Sequence, residues 1–102
     1  MNNQERFGTY IRSLREKEGM PLRKLAAKLD IDQSTLSKIE TNQRSATRPM
    51  IPIIAEAFNI DIKEVEIKFL SHRILDELMN EKYGLEALKS AQKLLNQLIV
   101  EK

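Results

Sequence analysis

The sequence predicts an all-α protein, and three observations carry that expectation. Apolar residues recur at steps of three and four along most of the chain. Only three glycines and three prolines occur in 102 residues, too few for a turn-rich sheet protein. No hairpin turn signal is present to pair two strands. The length suits one compact domain with a modest core.

Six segments follow in order. The first, roughly Glu5 to Lys17, spaces Phe7, Ile11 and Leu14 on one face, and Gly19 after its basic end reads as a stop. The second, Pro21 to Leu29, carries Leu22, Leu25, Ala26 and Leu29; proline suits a helix start, where its missing N–H would have had no intrahelical partner. The third, Asp32 to Glu40, opens on a good N-cap residue, Asp32. Only Asp30 and Ile31 separate it from the second, so these two helices are expected to cross steeply. A polar loop follows, with Asn42 a candidate for the left-handed residue after the helix. The fourth, about Pro49 to Phe58, turns Ile51, Ile54, Ala55 and Phe58 inward, and Pro52 fits only within its first turn. The fifth begins near Asp61, whose spacing to Glu64 is a variant of the capping box. It carries Val65, Ile67, Phe69, Leu70, Ile74, Leu75, Leu78 and Met79 to about Glu81, and Gly84 breaks it. The sixth, about Leu85 to Val100, carries Leu88, Ala91, Leu95, Leu98 and Ile99.

Composition excludes several classes of function. Cysteine is absent, so neither a disulfide nor a thiolate metal site can form. The single histidine, His72, has no companion ligands and reads as a surface or interface residue; no metal and no cofactor are expected. No serine, histidine and acid assemble into a recognisable triad, and no glycine-rich loop cradles phosphate, so an enzyme is not expected. Asp76/Glu77 and Glu64/Glu66 read as solvated faces, and Tyr10 and Tyr83 as amphipathic packing residues. The opening residues lack the apolar run of a signal peptide, and no stretch approaches the ~20 apolar residues of a membrane span. A cytoplasmic protein that does not enter membranes is the expectation.

The third segment has an unusual surface. Placing Leu36 and Ile39 inward turns Ser34, Ser37, Lys38 and Thr41 outward, with Gln33 and Thr35 at the flanks. Serine and threonine are mediocre helix formers, so a face meant only for solubility would carry Glu, Lys and Ala instead. The net charge of +2 says little by itself. Its small excess lies in the first part of the chain, and Lys38, Arg44 and Arg48 stand against one acid, Glu40, in the segment from 38 to 48.

Residues 22–41, "LRKLAAKLDIDQSTLSKIET", resemble the helix-turn-helix of the lambda-repressor/Cro family, the Xre type. Leu25, Ala26, Leu29, Ile31, Leu36 and Ile39 stand at the spacings that motif reserves for core contacts. Ala26 matches the place where the two helices come closest. The flanking "IRSLREKEG" and "MIPIIAEAFNI" are similar to that family's first and fourth helices, and the likeness extends over about residues 5–69. It implies a five-helix lambda-repressor-like DNA-binding domain over residues 1–70, with residues 71–102 as a C-terminal helical hairpin extension. Two features depart from the family pattern. Asp30 stands where the turn usually has glycine, and aspartate tolerates positive φ better than most residues. Pro21 and Leu22 replace a frequent Ser/Thr–Gln pair, removing a phosphate-contacting amide and leaving Arg23 as the candidate in its place.

The resemblance assigns roles to particular residues. Short side chains let a helix approach the major groove of B-DNA, which admits one helix and displays donors and acceptors on base edges. Gln33, Ser34 and Lys38 are the leading base readers, with Thr35 and Ser37 beside them. Arg23, Thr41, Asn42, Gln43, Arg44 and Arg48 are candidates for phosphate contact. Arg15 and Glu40 resemble a pair that ties the first helix to the third. In the tail, Leu88, Ala91, Leu95 and Leu98 follow a seam-like spacing, either packing back on segment five or pairing with a second copy as a dimerisation element. The expectation is a homodimeric, sequence-specific binder of double-stranded DNA, a repressor at an inverted-repeat operator. The alternative is a protein-interaction module or the antitoxin of a toxin–antitoxin pair, its partner protein bound through the C-terminal helices.

Overall fold

The computed structural model describes residues 6–101. Among them are six helices and no strand: α1 Phe7–Lys17, α2 Leu22–Leu29, α3 Gln33–Glu40, α4 Met50–Ala57, α5 Ile62–Leu78 and α6 Gly84–Glu101. The fold is all-α. The expected beginning of the first helix at Glu5 lies outside the described residues. The chain divides into two compact units, residues 1–72 and 73–102, and the division falls within α5 rather than between helices.

Left-handed residues end the early helices. After α1, Gly19 takes φ +63°, and the Met20 N–H returns to the Arg15 carbonyl at 3.0 Å. That 6→1 bond is the Schellman closure, which satisfies a carbonyl the helix itself leaves open. Asp30 does the same after α2, at φ +56°, with the Ile31 N–H on the Ala26 carbonyl at 3.0 Å. Pro21 is the N-cap of α2 and not its first helical residue; its carbonyl accepts the N–H groups of Lys24 and Leu25. Pro52 sits third in α4, inside the first turn, where no backbone donor is needed. At α5 the Asp61 carboxylate accepts the N–H of Lys63, two residues on rather than three.

The first unit has one core. Ile11, Leu25, Leu36, Ile54 and Val65 are fully buried, one from each of α1 to α5. Burying each such side chain contributes roughly 1.5–3 kcal/mol. Phe7, Ala26, Leu29, Ile39, Met50, Ile51, Ala55, Phe58 and Phe69 close around them. His72, expected at a surface or an interface, is instead buried, with its ring 6.2 Å from that of Phe7. The spacing explains it, because Val65, Phe69 and His72 follow steps of four and three on the inner face of α5. Tyr10 packs as expected, with its ring 5.9 Å from that of Phe7 and the Lys68 ammonium 5.5 Å above it.

The second unit differs in kind. None of its apolar side chains is buried; Leu75 and Leu78 are half-covered, and Leu85, Leu88, Leu94, Leu95, Leu98, Ile99 and Val100 are exposed along α6. Tyr83, expected to pack, is also exposed. Gly84 does not end α5, which stops at Leu78; it is the first residue of α6. A Cβ at Gly84 would press on the carbonyl oxygen of Leu78, so glycine here permits a close backbone approach.

Candidate nucleic-acid interface

Helix α3 is set by both of its ends. The Asp32 carboxylate accepts the Thr35 N–H at 2.6 Å, satisfying one of the four donors that open a helix. This bond holds the Asp32 carboxyl below its ordinary pKa, and the nearby cations Arg44 and Lys38 push in the same direction. At the other end, the N–H groups of Gln43 and Arg44 both return to the Lys38 carbonyl, at 2.8 and 3.2 Å.

Two aliphatic anchors fix the rotation of the helix. Leu36 is 0% and Ile39 2% exposed. Their burial turns Gln33, Ser34, Ser37 and Lys38 to the surface, where all four are exposed; Thr35 is half-buried at the flank. The face so presented is polar, short-chained and basic at one end. The major groove of B-DNA admits one helix and displays donors and acceptors that side chains of these types can meet.

A third restraint comes from an ion pair. Arg15 of α1 and Glu40 of α3 are brought together in fork geometry, Nε–Oε2 at 2.8 Å and Nη2–Oε1 at 2.9 Å. The Arg15 Nη1 also donates to the Met20 carbonyl at 2.9 Å. The bonds to Glu40 raise the guanidinium pKa above its already high ordinary value. Glu40 is 4% exposed, so this charge depends on its partner. Bidentate Arg–carboxylate bonding adds direction as well as energy, which suits a pair that locks the angle between two helices.

The expected phosphate contacts divide into two groups. Arg23 and Arg44 are exposed, on α2 and after α3 respectively. The others are engaged within the chain. Thr41 Oγ1 donates to the Ser37 carbonyl at 3.0 Å and accepts from Gln43 Nε2 at 2.9 Å, so these two side chains build the loop. Arg48 turns to α5, 3.3 Å from Glu66 and with its guanidinium 5.7 Å over the Phe69 ring. Both Arg48 and Glu66 are about half exposed, and such a pair holds weakly. Asn42, at φ +63°, directs its amide inward: Oδ1 accepts the Gly8 N–H at 3.1 Å, and Nδ2 donates to Thr9 Oγ1 at 3.0 Å.

Gly8 and Thr9 played no part in the sequence reading. Gly8 is buried, and a Cβ there would collide with the Ile39 carbonyl oxygen. A glycine inside an otherwise good helix costs about 1 kcal/mol relative to alanine, and that misfit was the available signal of close approach.

Among protein-family models, one described as Helix-turn-helix matches residues 11–65. No curated protein and no solved structure matches the chain.

Proposed function

The chain belongs to the Xre/lambda-repressor-like helix-turn-helix family of DNA-binding transcription regulators, and from that premise we propose that it is a homodimeric repressor acting at an inverted-repeat operator. The observation that supports this most is the outward face of α3. Leu36 and Ile39 anchor the helix from below, and Gln33, Ser34, Ser37 and Lys38 stand free above. In the proposed complex Gln33 pairs with adenine, Lys38 reaches guanine, Ser34 and Ser37 take either donors or acceptors, and Thr35 lies at the flank against a thymine methyl. Arg44 and Arg23 hold phosphates and set the register, with Gln43 close by. A regulator of this kind acts by occupancy, and needs no catalytic group.

The dimer rests on the tail. Leu88, Ala91, Leu95 and Leu98 are all exposed on α6, at steps of three and four. A two-fold dimer that reads successive turns of one DNA face needs its reading helices about 34 Å apart. The same seam could instead serve a partner protein, as an antitoxin requires.

Selection of bound sequences from random duplex DNA tests the proposal. An enriched motif with two-fold symmetry is the expected result; no enrichment, or equal affinity for all duplexes, refutes sequence reading. Sedimentation of the full chain against Leu95→Glu and Leu98→Glu tests the dimer: wild type at twice the mass of the variants is expected. Equal masses would remove the tail from dimerisation.

A further inference from the structure

We propose that Asn42 is a positioning residue for DNA binding: without touching DNA, it latches the exit of the reading helix onto the first turn of α1. The proposal rests on the DNA-binding reading above and goes beyond it, since it gives a role to a side chain that faces the protein.

The first turn of any helix leaves N–H groups without intrahelical partners. The α1 N-cap is Arg6, which supplies no side-chain bond to them. Asn42, 34 residues further along, supplies one instead, taking the Gly8 N–H on its Oδ1 at 3.1 Å. Its Nδ2 meets Thr9 Oγ1 at 3.0 Å, so both ends of the amide are used and its orientation is determined. Gly8 makes room for this. Any larger residue would drive α1 away from the Ile39 carbonyl, where α3 ends.

The backbone of the same residue starts the loop that carries Gln43 and Arg44. Asn42 is in the left-handed region, and the next two N–H groups fold back to the Lys38 carbonyl. Two sets of bonds therefore fix where the Arg44 side chain leaves the protein: the helix-ending bonds to Lys38, and the amide latch to α1. Arginine has a long, flexible stem, and its reach to a phosphate depends on where that stem begins. Releasing the latch frees the loop and lowers the fraction of time in which Arg44 meets the duplex backbone.

The test uses four full-length variants and the operator obtained by selection. Asn42→Gly removes the amide while glycine enters φ +63° without strain. Thr9→Val removes the second half of the latch from the opposite side, Thr9→Ser restores the hydroxyl, and Asn42→Gly/Thr9→Val combines both losses. Affinity is measured as a function of salt, well below each variant's Tm. Asn42→Gly is expected to weaken binding about tenfold, the scale of one charge-assisted hydrogen bond. It should also flatten the salt dependence by about 0.9 in slope, as one phosphate contact is lost. Thr9→Val should weaken binding less, Thr9→Ser should match wild type, and the double variant should bind no worse than Asn42→Gly alone. Multiplying losses in the double variant, or a Thr9→Val protein with wild-type affinity beside a weakened Asn42→Gly, would show Asn42 touching DNA directly and overturn the latch. A lowered Tm with unchanged affinity and slope would overturn it too, leaving a helix cap with no bearing on DNA. Failure of the wild-type chain to bind any duplex would instead defeat the DNA-binding reading, and is recognised before any variant is made.

Discussion

Residues 7–72 and residues 73–102 are built from the same kind of apolar periodicity, yet only the first set has a core. In the first unit a residue from each of α1 to α5 is fully buried. In the second, α6 repeats leucine at helical spacing and every one stays exposed, Leu95 at 58%. Spacing alone therefore specifies which face of a helix is apolar, and not what covers it. A core forms where several such faces converge at short range, as the tight connections of the first unit force them to do. A helical pair without that convergence gains little from its own leucines, because isolated helices of this length are marginal in water.

The sharpest way to break this contrast is to shorten one leucine in each unit. Leu36→Ala should destabilise the protein by about 2–5 kcal/mol in chemical denaturation, through lost transfer energy and a residual cavity. Leu95→Ala, in dilute protein, should change it by under about 0.5 kcal/mol, as a surface substitution does. Equal losses would mean that the tail is packed as firmly as the core.

A second, somewhat smaller effect tests the polar support of the first unit. Glu40→Ala removes the carboxylate from the Arg15 guanidinium, whose side chain is only 14% exposed, and should cost about 3 kcal/mol by denaturant titration. It should weaken operator binding as well, because the angle of α3 is no longer held. A loss below about 1 kcal/mol would place the pair with ordinary surface bridges.

The capping bond of Asp32 gives a smaller, pH-dependent signature. Its folded carboxyl titrates below the ordinary value of 3.8, so its contribution is complete above that value and is lost as pH falls through the lower folded one. Asp32→Ala should accordingly lower Tm at neutral pH, and the gap to wild type should shrink below pH 3.8. A gap independent of pH would locate the effect elsewhere. The least effect is expected from Arg48→Ala. Its pair with Glu66 is half exposed on both sides, and removal should change stability by at most about 1 kcal/mol in thermal denaturation.

Much of the first unit was legible in the sequence because its determinants are local. The steps linking Leu22, Leu25 and Leu29, or Leu36 and Ile39, are fixed by helix geometry, and Asp30, Asn42 and Gly19 are residue types that tolerate positive φ. The outward face of α3 followed from its two inward anchors. The rest depended on partners distant along the chain. Nothing near Asn42 announces Gly8 and Thr9, and nothing near Arg48 announces Glu66. His72 was read from its chemistry as a surface or interface residue, whereas its position in the α5 repeat decided its burial. The end of α5 was placed too late because Met79 continues the apolar pattern and Gly84 looked like a terminator. Its missing side chain instead serves the approach of the Leu78 carbonyl.

The left-handed elbow at Asp30 carries an evolutionary corollary. Aspartate and glycine codons differ by one nucleotide, and glycine relieves about 1 kcal/mol of backbone strain there while adding a similar entropy to the unfolded chain. The exchange is close to neutral for folding, so a lineage can discard or regain this carboxylate between α2 and α3 in a single step, without passing through an unfolded ancestor.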